Sequence, residues 1–378
     1  MTRAPSPAHG RPGAQGSAPY AQGGHHVSAL QGRVFGCLAA SQIGSAMGAA
    51  VEGWDWRQVE EKYGFLDRLL SYEHYGNGWK RLPGTTEDGI ERQRVFLRAI
   101  RRVGGRIGPE DVAAVWREEV DPEHAAWCME PFDRQLIRLA RAGVPGSRLG
   151  SFSPYSDLIS LARSCHPIGL INALNPQQAW DDVHRVGQVL QPALGSGLDW
   201  AGLVAAVIAA ACDPAASFDD ALGAGLGLVD DGIRREVERA LKVAEAAREP
   251  LAMRDAFAEH YSGHGVVYAM SHANEIVSKA VAVVRAAGGS PRQSILTAVN
   301  FGRDTDCLAA VAGGMAGALS GPADLPADWI AQVDAATAAN PHTCLRLSLS
   351  EMADIVLSGL RAERQRMADY AGRLGEVL

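Results

Sequence analysis

Three short segments of this 378-residue chain carry carboxylate and hydroxyl side chains that together could bind a cation. Glu52 ends an apolar stretch, Thr86-Glu87-Asp88 lies about thirty residues later, and Asp304-Thr305-Asp306 precedes a run of small apolar residues. Clustered carboxylates repel one another unless a positive charge lies among them, and hard oxygen ligands suit Mg²⁺, Mn²⁺ or Ca²⁺. A shared metal site would therefore account for all three segments.

Each segment also has a simpler explanation when it is considered alone. Threonine ahead of two acidic residues is an ordinary helix N-cap sequence, so Thr86-Glu87-Asp88 would only begin a helix. A lone Asp-x-Asp, such as Asp304 and Asp306, is commonly a turn. From the residues alone, a common metal site and separate structural roles both stay open.

The elements that would position these segments are helices. An apolar stretch of small residues from Ser28 to Trp54 predicts one helix or a broken pair. Helical periodicity predicts further helices at 56–63, about 84–103, 109–120, 131–142, about 177–190, 200–212, about 230–247, 275–287, 307–319 and about 348–375. A loop rich in glycine, tyrosine and tryptophan is expected from Tyr72 to Gly84. We expect no β-structure, because we find neither sustained alternation of apolar and polar residues, nor an Asn-Gly hairpin, nor a βαβ rhythm. The predicted fold class is therefore all-α, a single domain of many helices.

Two of these helices carry small residues at spacings that allow close approach. Ala309, Gly313 and Gly317 fall on one helical face. The glycines with similar spacing in the first helix are Gly36, Gly44 and Gly48. Because glycine costs a helix about 1 kcal/mol relative to alanine, several in one helix indicate that packing requires them. The apolar run Cys307 to Leu319 is shorter than the roughly 20 residues that a membrane span needs, so we expect a core helix whose first turn holds chemistry.

The composition is that of a globular protein without a basic surface. Hydrophobic residues make up 47% of the chain, and the net charge is −7. A nucleic-acid partner is not expected, because phosphate binding needs a concentrated positive face. Six scattered cysteines without a Cys-x-x-Cys pair favour reduced thiols in a cytoplasmic protein, and no membrane partner is expected. Residues 1–27 read as a disordered polar tail without a signal peptide, which leaves 28–378 as the folded domain.

Taken in order, the three segments resemble the motifs of the ADP-ribosylglycohydrolase family. The matches are Gly44-Ser45-Ala46-Met47-Gly48 leading to Glu52, then Thr86-Glu87-Asp88, then Asn300 through Cys307 into the small-residue helix. Residues 163–175, which contain Pro167-Ile168-Gly169-Leu170, are a weaker fourth match. The resemblance covers about residues 32–321. It implies an all-α hydrolase that uses two metal ions, usually Mg²⁺ with Mn²⁺ as an alternative, to cleave the bond between ribose C1″ and an acceptor.

The resemblance also implies roles for individual residues. The residues it assigns to the metal ions are Thr86, Glu87, Asp88, Asp304 and Asp306. Glu52 and Asp304 are expected to act in catalysis, where Glu52 would ligate a metal ion or transfer a proton. His166 and Gly169 are expected to bind substrate, although a buried histidine with its hydrogen bonds satisfied is an equal alternative for His166. Glycosidic cleavage passes through an oxocarbenium-like state, so it needs acid help for the leaving group and a poised water.

The chain departs from the family pattern in its ligand set. The family's usual Thr-Asp-Asp-Thr is here Thr86-Glu87-Asp88-Gly89, its Gly-Asp pair is Gly44-Ser45, and the threonine that often closes the last motif is Cys307. A thiolate suits a softer ion such as Mn²⁺ or Zn²⁺ better than Mg²⁺, whereas the simpler interpretation of Cys307 is a small buried residue. These changes put the substrate in question more than the chemistry.

Three functions stay open from the sequence. The first is a hydrolase of ADP-ribosylated protein side chains. The second acts on a small nucleoside- or nucleotide-like N-glycoside, because residues 153–163 lack the glycines whose backbone amides most easily bind a diphosphate. The third is a catalytically silent member that binds ADP-ribose. Retention of the acidic residues argues against the third, since an uncompensated acidic cluster costs stability.

Overall fold

The computed structural model describes residues 28–74, 76–261, 270–343 and 345–378. Helices account for 69% of the described residues, and the predicted all-α fold class is confirmed. The predicted tail, residues 1–27, lies outside the described residues. Most buried apolar side chains of the described residues belong to one hydrophobic cluster that extends from Val34 to Leu357.

The first nine helices, in chain order, are α1 (Ala29–Gly48), α2 (Trp56–Tyr63), α3 (Asp88–Val103), α4 (Pro109–Glu119), α5 (Pro122–Ala125), α6 (Pro131–Arg141), α7 (Gly146–Leu149), α8 (His166–Ile171) and α9 (Pro176–Val186). The remaining helices are α10 (Ser196–Ala211), α11 (Phe218–Leu226), α12 (Asp231–Ala246), α13 (Arg254–Tyr261), α14 (Ala273–Ala286), α15 (Pro291–Val299), α16 (Thr305–Ser320), α17 (Ala327–Ala339) and α18 (Leu349–Val377). Short 3₁₀ helices cover Ala49–Val51, Gly150–Phe152, Gly187–Val189 and Pro250–Met253.

A small antiparallel hairpin interrupts the helices between α2 and α3. Its strands are β1 (Tyr72–Glu73) and β2 (Lys80–Arg81), and Tyr72 is paired with Arg81. The dipeptide Asn77-Gly78, a common hairpin signal, lies in the connection between the strands. The expectation of a plain loop from Tyr72 to Gly84 is therefore corrected, because the short strands are too brief to show an alternating pattern.

The contact between α1 and α16 forms the centre of the molecule. Every residue of α1 from Val34 onward and every residue of α16 up to Ala318 is buried. A Cβ atom added to Gly48 would lie 2.5 Å from the backbone nitrogen of Asp306, and one added to Gly36 would lie 2.5 Å from the carbonyl carbon of Gly321. Real Cβ contacts are never this short, so the two backbones touch directly. The predicted close approach of the small-residue faces is confirmed.

This contact brings two of the acidic segments together. The hydroxyl of Thr305 donates a 2.8 Å hydrogen bond to the carbonyl of Gly48, which ties the start of α16 to the end of α1. Glu52 follows the 3₁₀ turn that ends α1, and Asp304 directly precedes α16. The two carboxylates therefore lie at the same end of the helix pair.

Two further segments complete the surroundings of that end. On α3, the side-chain amide of Gln93 donates to the hydroxyl of Ser41 and to the carbonyl of Arg163, each at 3.0 Å. These bonds join α1, α3 and the loop before α8. On the other side of the same loop, the amide of Ile159 donates to the carbonyl of Ser271 at 2.9 Å. The loop before α8 is thus fixed between α3 and the start of α14.

One helical stretch passes a test for a membrane span by length and composition. It is Ala29–Val51, with 23 residues and a mean hydropathy of 1.5. However, 94% of its most apolar window is buried inside the protein. Packing against α16 therefore accounts for its apolar character.

Candidate active site

A small enclosed cavity lies beside the acidic segments, and the motif residues that reach its wall are Glu52, Asp88 and Cys307. The residues that line it are Glu52, His74, Asp88, Glu130, Leu158, Ile159, Ser160, Arg163, Ser271 and Cys307. Its volume is about 20 Å³, which is room for about one water molecule. The residues that line the cavity therefore come from the segment after α1, the hairpin, the start of α3, the residue before α6, the loop before α8, the segment before α14 and the start of α16.

The acidic residues at the helix starts do not serve as ordinary caps. Glu87 is the N-cap residue of α3 and Asp304 is the N-cap residue of α16, yet neither side chain bonds to the amides of its own helix. The hydroxyl of Thr86 accepts a 3.2 Å hydrogen bond from Arg94 instead. The interpretation of these segments as plain helix caps is wrong, because the side chains make other contacts.

Asp304 has the least compensated charge in this region. Asp304 is 4% exposed, and neither of its carboxylate oxygens has a hydrogen-bond partner among the described residues. One carboxylate oxygen of Asp306 and one of Glu87 are also buried and lack a hydrogen-bond partner in this part of the structure. Ligand atoms of Asp304, Asp306 and Cys307 lie within 4.8 Å of one another. Because a buried carboxylate without a partner is costly, this arrangement suits a cation.

Glu87 is held by the hairpin. The phenol of Tyr72 donates a hydrogen bond to its carboxylate, and Nε of Arg81 lies 3.5 Å from the same oxygen. The backbone amide of Glu87 donates to the hydroxyl of Ser45 at 3.3 Å. Burial raises the pKa of Glu87 to about 8, even though Arg81 and Tyr72 act to lower it. Burial, together with the charge of Asp304, likewise raises the pKa of Asp306 to about 8.

Asp88 is paired with two arginines. Arg163 donates a hydrogen bond to its Oδ1, and Nη2 of Arg92 lies 2.7 Å from its Oδ2. Burial alone would raise the pKa of Asp88, but the two guanidinium groups outweigh burial and hold that pKa below its usual value. Arg92 also donates to both oxygens of the buried Asp133, at 2.8 and 2.6 Å. Asp88 is therefore ionised and already neutralised.

Arg163 lies between the two acidic segments. Its Nη1 donates to Oδ2 of Asp306 at 2.9 Å and to the thiol sulfur of Cys307 at 2.8 Å, while its Nη2 donates to Asp88. Its side chain is 7% exposed. The guanidinium thus bridges α3 and α16 across the cavity.

Glu52 is the most exposed of the acidic residues that the sequence predicted for the site. Its side chain is 18% exposed, and one of its oxygens lies 3.5 Å from Nδ1 of His74. Burial raises the pKa of Glu52 well above its usual value, and the charges of Asp306 and Asp304 raise it further. Burial lowers the pKa of His74. The raised pKa therefore favours the protonated form of Glu52, at a position that lines the cavity.

The two residues expected to bind substrate lie elsewhere. His166 is fully buried, with Nε2 3.2 Å from the carbonyl of Ala310 and Nδ1 3.2 Å from the amide nitrogen of Gln93. Burial lowers the pKa of His166 to about 4, so the ring is neutral. A Cβ at Gly169 would lie 2.8 Å from the carbonyl of Ala205, so Gly169 serves close packing against α10. Neither residue lines the cavity, and their placement does not support a substrate-binding role.

The sequence was compared with models of known protein families. The model of the ADP-ribosylglycohydrolase family matches residues 26–366 of this chain. The chain belongs to the ADP-ribosylglycohydrolase family. Membership indicates glycohydrolase activity.

Two individual proteins resemble this family member. An uncharacterized protein from Archaeoglobus fulgidus is 26% identical over 293 residues, which is 75% of this chain and 86% of that protein. A solved structure of an ADP-ribosylglycohydrolase-related protein complex matches with a TM-score of 0.62 and 18% identity, covering 88% of this chain and 98% of that one. At this identity the second likeness shows the fold alone.

The ADP-ribosylglycohydrolase family implies divalent ions, and the side chains present here can be examined as ligands for such an ion. Asp304 and Asp306 fit such an ion, because three of their four carboxylate oxygens are buried without a hydrogen-bond partner in the described part of the chain. Glu52, whose pKa is raised in part by the charges of Asp306 and Asp304, lies near enough to them to offer a further oxygen. The α16 side of the site therefore fits a hard cation.

Sequence reasoning missed several residues of this site. The contribution of the hairpin, through Tyr72, His74 and Arg81, had only the Asn77-Gly78 dipeptide as a local signal. Arg163 is the first residue of the weak fourth match, but nothing in its neighbourhood along the chain predicts its partners, which lie 75 to 144 residues away. The sequence located the carboxylates and not the cations that pair with them.

Proposed function

We propose that this chain is a divalent-metal-dependent hydrolase that cleaves a ribosyl N- or O-glycosidic bond, with Mg²⁺ as the metal and Mn²⁺ as an alternative. The observation that carries this proposal is Asp304, whose buried carboxylate has no hydrogen-bond partner among the described residues. It lies at the same end of the α1–α16 pair as the proton-holding Glu52, in a member of a glycohydrolase family. A structural role alone would not retain such a charge.

The chain's own residues divide the work of glycoside hydrolysis. Glu52 donates a proton to the leaving nitrogen or oxygen as the bond to ribose C1″ breaks, because its raised pKa favours the protonated carboxyl. Asp304 and Asp306 would hold the divalent ion at the start of α16. When bound, that ion supplies a water of lowered pKa and a positive charge for the ribose hydroxyls. His74 orients Glu52 from the solvent side.

The substrate divides into two classes. One is an ADP-ribosylated protein side chain, and the other is a small nucleoside- or nucleotide-like N-glycoside. The second class is favoured by the loop before α8, which places Leu158, Ile159 and Ser160 against the cavity and contains no glycine from 153 to 163. We propose a cytoplasmic location, with neither nucleic acid nor a membrane as partner.

A mass-spectrometric substrate panel tests the proposal. It contains ADP-ribosyl-arginine and ADP-ribosyl-serine peptides beside simple nucleosides and nucleotides, each with Mg²⁺ or Mn²⁺. The double variant Asp304→Asn/Asp306→Asn is the control. Release of ADP-ribose by the wild type alone supports the first class, and release of ribose or ribose phosphate alone supports the second. Binding of ADP-ribose without turnover on any substrate would indicate the silent member and overturn the proposal.

A further inference from the structure

The guanidinium of Arg163 lies between the two acidic segments, where a bound cation would otherwise join them. Its two terminal nitrogens reach Asp88 on α3 and Asp306 on α16, and one of them also reaches the sulfur of Cys307. The side chain is almost fully buried. A fixed positive charge therefore already joins the carboxylates of the two segments.

Two neighbouring residues accommodate this arginine: Gly89 leaves space for its side chain, and Cys307 accepts a hydrogen bond from it. A Cβ at Gly89 would lie 2.8 to 2.9 Å from Cδ, Cγ and Nε of Arg163, so any larger residue at 89 would displace the arginine's stem. Cys307 accepts a hydrogen bond from the guanidinium with a sulfur atom that is a poor ligand for Mg²⁺. Gly89 and Cys307 are also two of the four positions at which the chain departs from the motifs it resembles. The three residues are consistent with one coordinated change.

The charges on the two sides of the cavity differ. On the α3 side, every candidate ligand contacts an arginine: Arg94 donates to Thr86, Arg81 lies beside Glu87, and both Arg92 and Arg163 pair with Asp88. On the α16 side, Asp304 has neither an ion pair nor a hydrogen bond to its carboxylate within the described ranges. A divalent ion placed among the arginines would be repelled, whereas one beside Asp304 would be attracted.

We propose that Arg163 takes the place of one of two cations, so that the centre holds a single divalent ion on the Asp304 side. This inference rests on the metal dependence of the proposed function. The arginine supplies permanent charge compensation for Asp88 and a part of it for Asp306. The single ion then compensates Asp304 and the remaining oxygen of Asp306.

Manganese binding to the full-length chain tests the proposal. Mn²⁺ is titrated into metal-free protein, bound metal is measured after equilibrium dialysis, and electron paramagnetic resonance reports whether the ions are coupled. The wild type is expected to bind one ion with an uncoupled six-line spectrum. Arg163→Met is expected to bind a second ion with a spin-coupled spectrum, because Asp88 and Asp306 lose their shared cation. Two coupled ions in the wild type would overturn the proposal.

Two further variants keep the test interpretable if Arg163→Met does not fold. Arg163→Lys retains a positive charge and is expected to bind one ion. Arg106→Met removes an arginine whose ion pair is with Asp182, which does not line the cavity, and this variant is also expected to bind one ion. Two ions in the wild type with metal-dependent turnover would contradict only the single-ion centre. No bound ion, with turnover that resists chelation, would contradict the metal dependence as well.

Discussion

Asp304 lies at the start of α16 with both carboxylate oxygens buried and without a hydrogen-bond partner among the described residues. Its neighbour Asp306 shares one oxygen with Arg163 and leaves the other unpaired in the same part of the structure. At the scale of single residues, the site is thus a set of compensated acids, such as Asp88, next to an uncompensated one. Function is expected to follow the uncompensated charge.

Asp304→Asn should distinguish the effect of this charge on the stability of the metal-free protein from its effect on ion binding. The variant should melt at a higher temperature than the wild type in metal-free buffer, because a buried unpaired charge is removed. Mg²⁺ or Mn²⁺ should raise the melting temperature of the wild type and have little effect on the variant, since an ion stabilises only the protein that binds it. Thermal melts with and without each ion measure both effects.

Asp182→Asn is the matched control for that prediction. Asp182 is buried and bound by Arg106, Asn172 and Arg185. Its loss should lower the melting temperature in every buffer and leave the ion-induced rise intact. A wild-type melt unaffected by any divalent ion would contradict the account of Asp304.

Glu52→Gln should lose turnover while it keeps the fold and the ion. Removing a general acid typically costs about 10²- to 10⁴-fold in rate. Steady-state assays on the substrate found in the panel measure this loss, and a Mn²⁺ titration measures the ion. Glu60→Gln, which alters a surface ion pair with Arg254, should leave the rate unchanged. Full activity of Glu52→Gln would assign the proton to another group.

At the scale of elements, the pairing of α1 with α16 determines where the acids lie. The spacing of their small residues predicted that contact, and the strongly periodic helices α2, α4, α6 and α12 were predicted to within two residues. Other helices were not predicted, among them α11, α13, α15 and α17. Helices such as α11 and α15 are only nine residues long, and α17 is so rich in alanine that its apolar face has little contrast with its polar face.

The carboxylates of the site were predictable because the acidic residues within each segment are near neighbours in the chain. The arginines were not, because their partners come from other elements: Arg163 reaches Asp306 across 143 residues, and Arg94 reaches Thr337 across 243. Only the folded backbone brings such pairs together. The loop expected from Tyr72 to Gly84 likewise proved to carry Tyr72 and Arg81 to Glu87.

Gly44→Ala should test the helix contact directly. A Cβ at Gly44 would collide with the backbone carbonyl of Ala309, and backbone atoms cannot move aside cheaply. Overpacking of this kind costs about 1–3 kcal/mol of unfolding free energy, and we expect the upper end. Gly372→Ala, on α18 where an added Cβ meets no atom within 4 Å, should instead stabilise the protein by up to about 1 kcal/mol. Denaturant unfolding of both variants measures the difference.

At the scale of the whole molecule, the buried acids should make the stability of the metal-free protein fall as pH rises. The pKa values of Glu87 and Asp306 are raised to about 8, so the folded protein holds protons that the unfolded chain has already released. Glu87 and Asp306 therefore lower the stability progressively from about pH 4, where the unfolded chain releases these protons, to about pH 8, where the folded protein releases them. The neutral His166, whose pKa is lowered from 6.5 to about 4, acts in the opposite direction between those two pH values, so it does not oppose the decline between about pH 6.5 and pH 8.

Thermal melts across that pH range, with and without Mg²⁺, check this expectation. The metal-free melting temperature should decline towards pH 8, and the ion should remove most of the decline because it favours the deprotonated acids. Asp306→Asn should show a shallower decline. A metal-free melting temperature that rises from pH 6.5 to pH 8 would contradict the sign of the effect.

Hydrolysis in ¹⁸O-labelled water is the measurement that tests the central claim most directly. The panel substrate that is hydrolysed is incubated separately with the wild type, Glu52→Gln and Asp304→Asn. The masses of the products are then measured by mass spectrometry. Attack of water at ribose C1″ predicts one ¹⁸O atom in the ribosyl product, none in the acceptor, and sharply reduced release by both variants. Label in the acceptor, or equal release by the wild type and Asp304→Asn, would contradict the account.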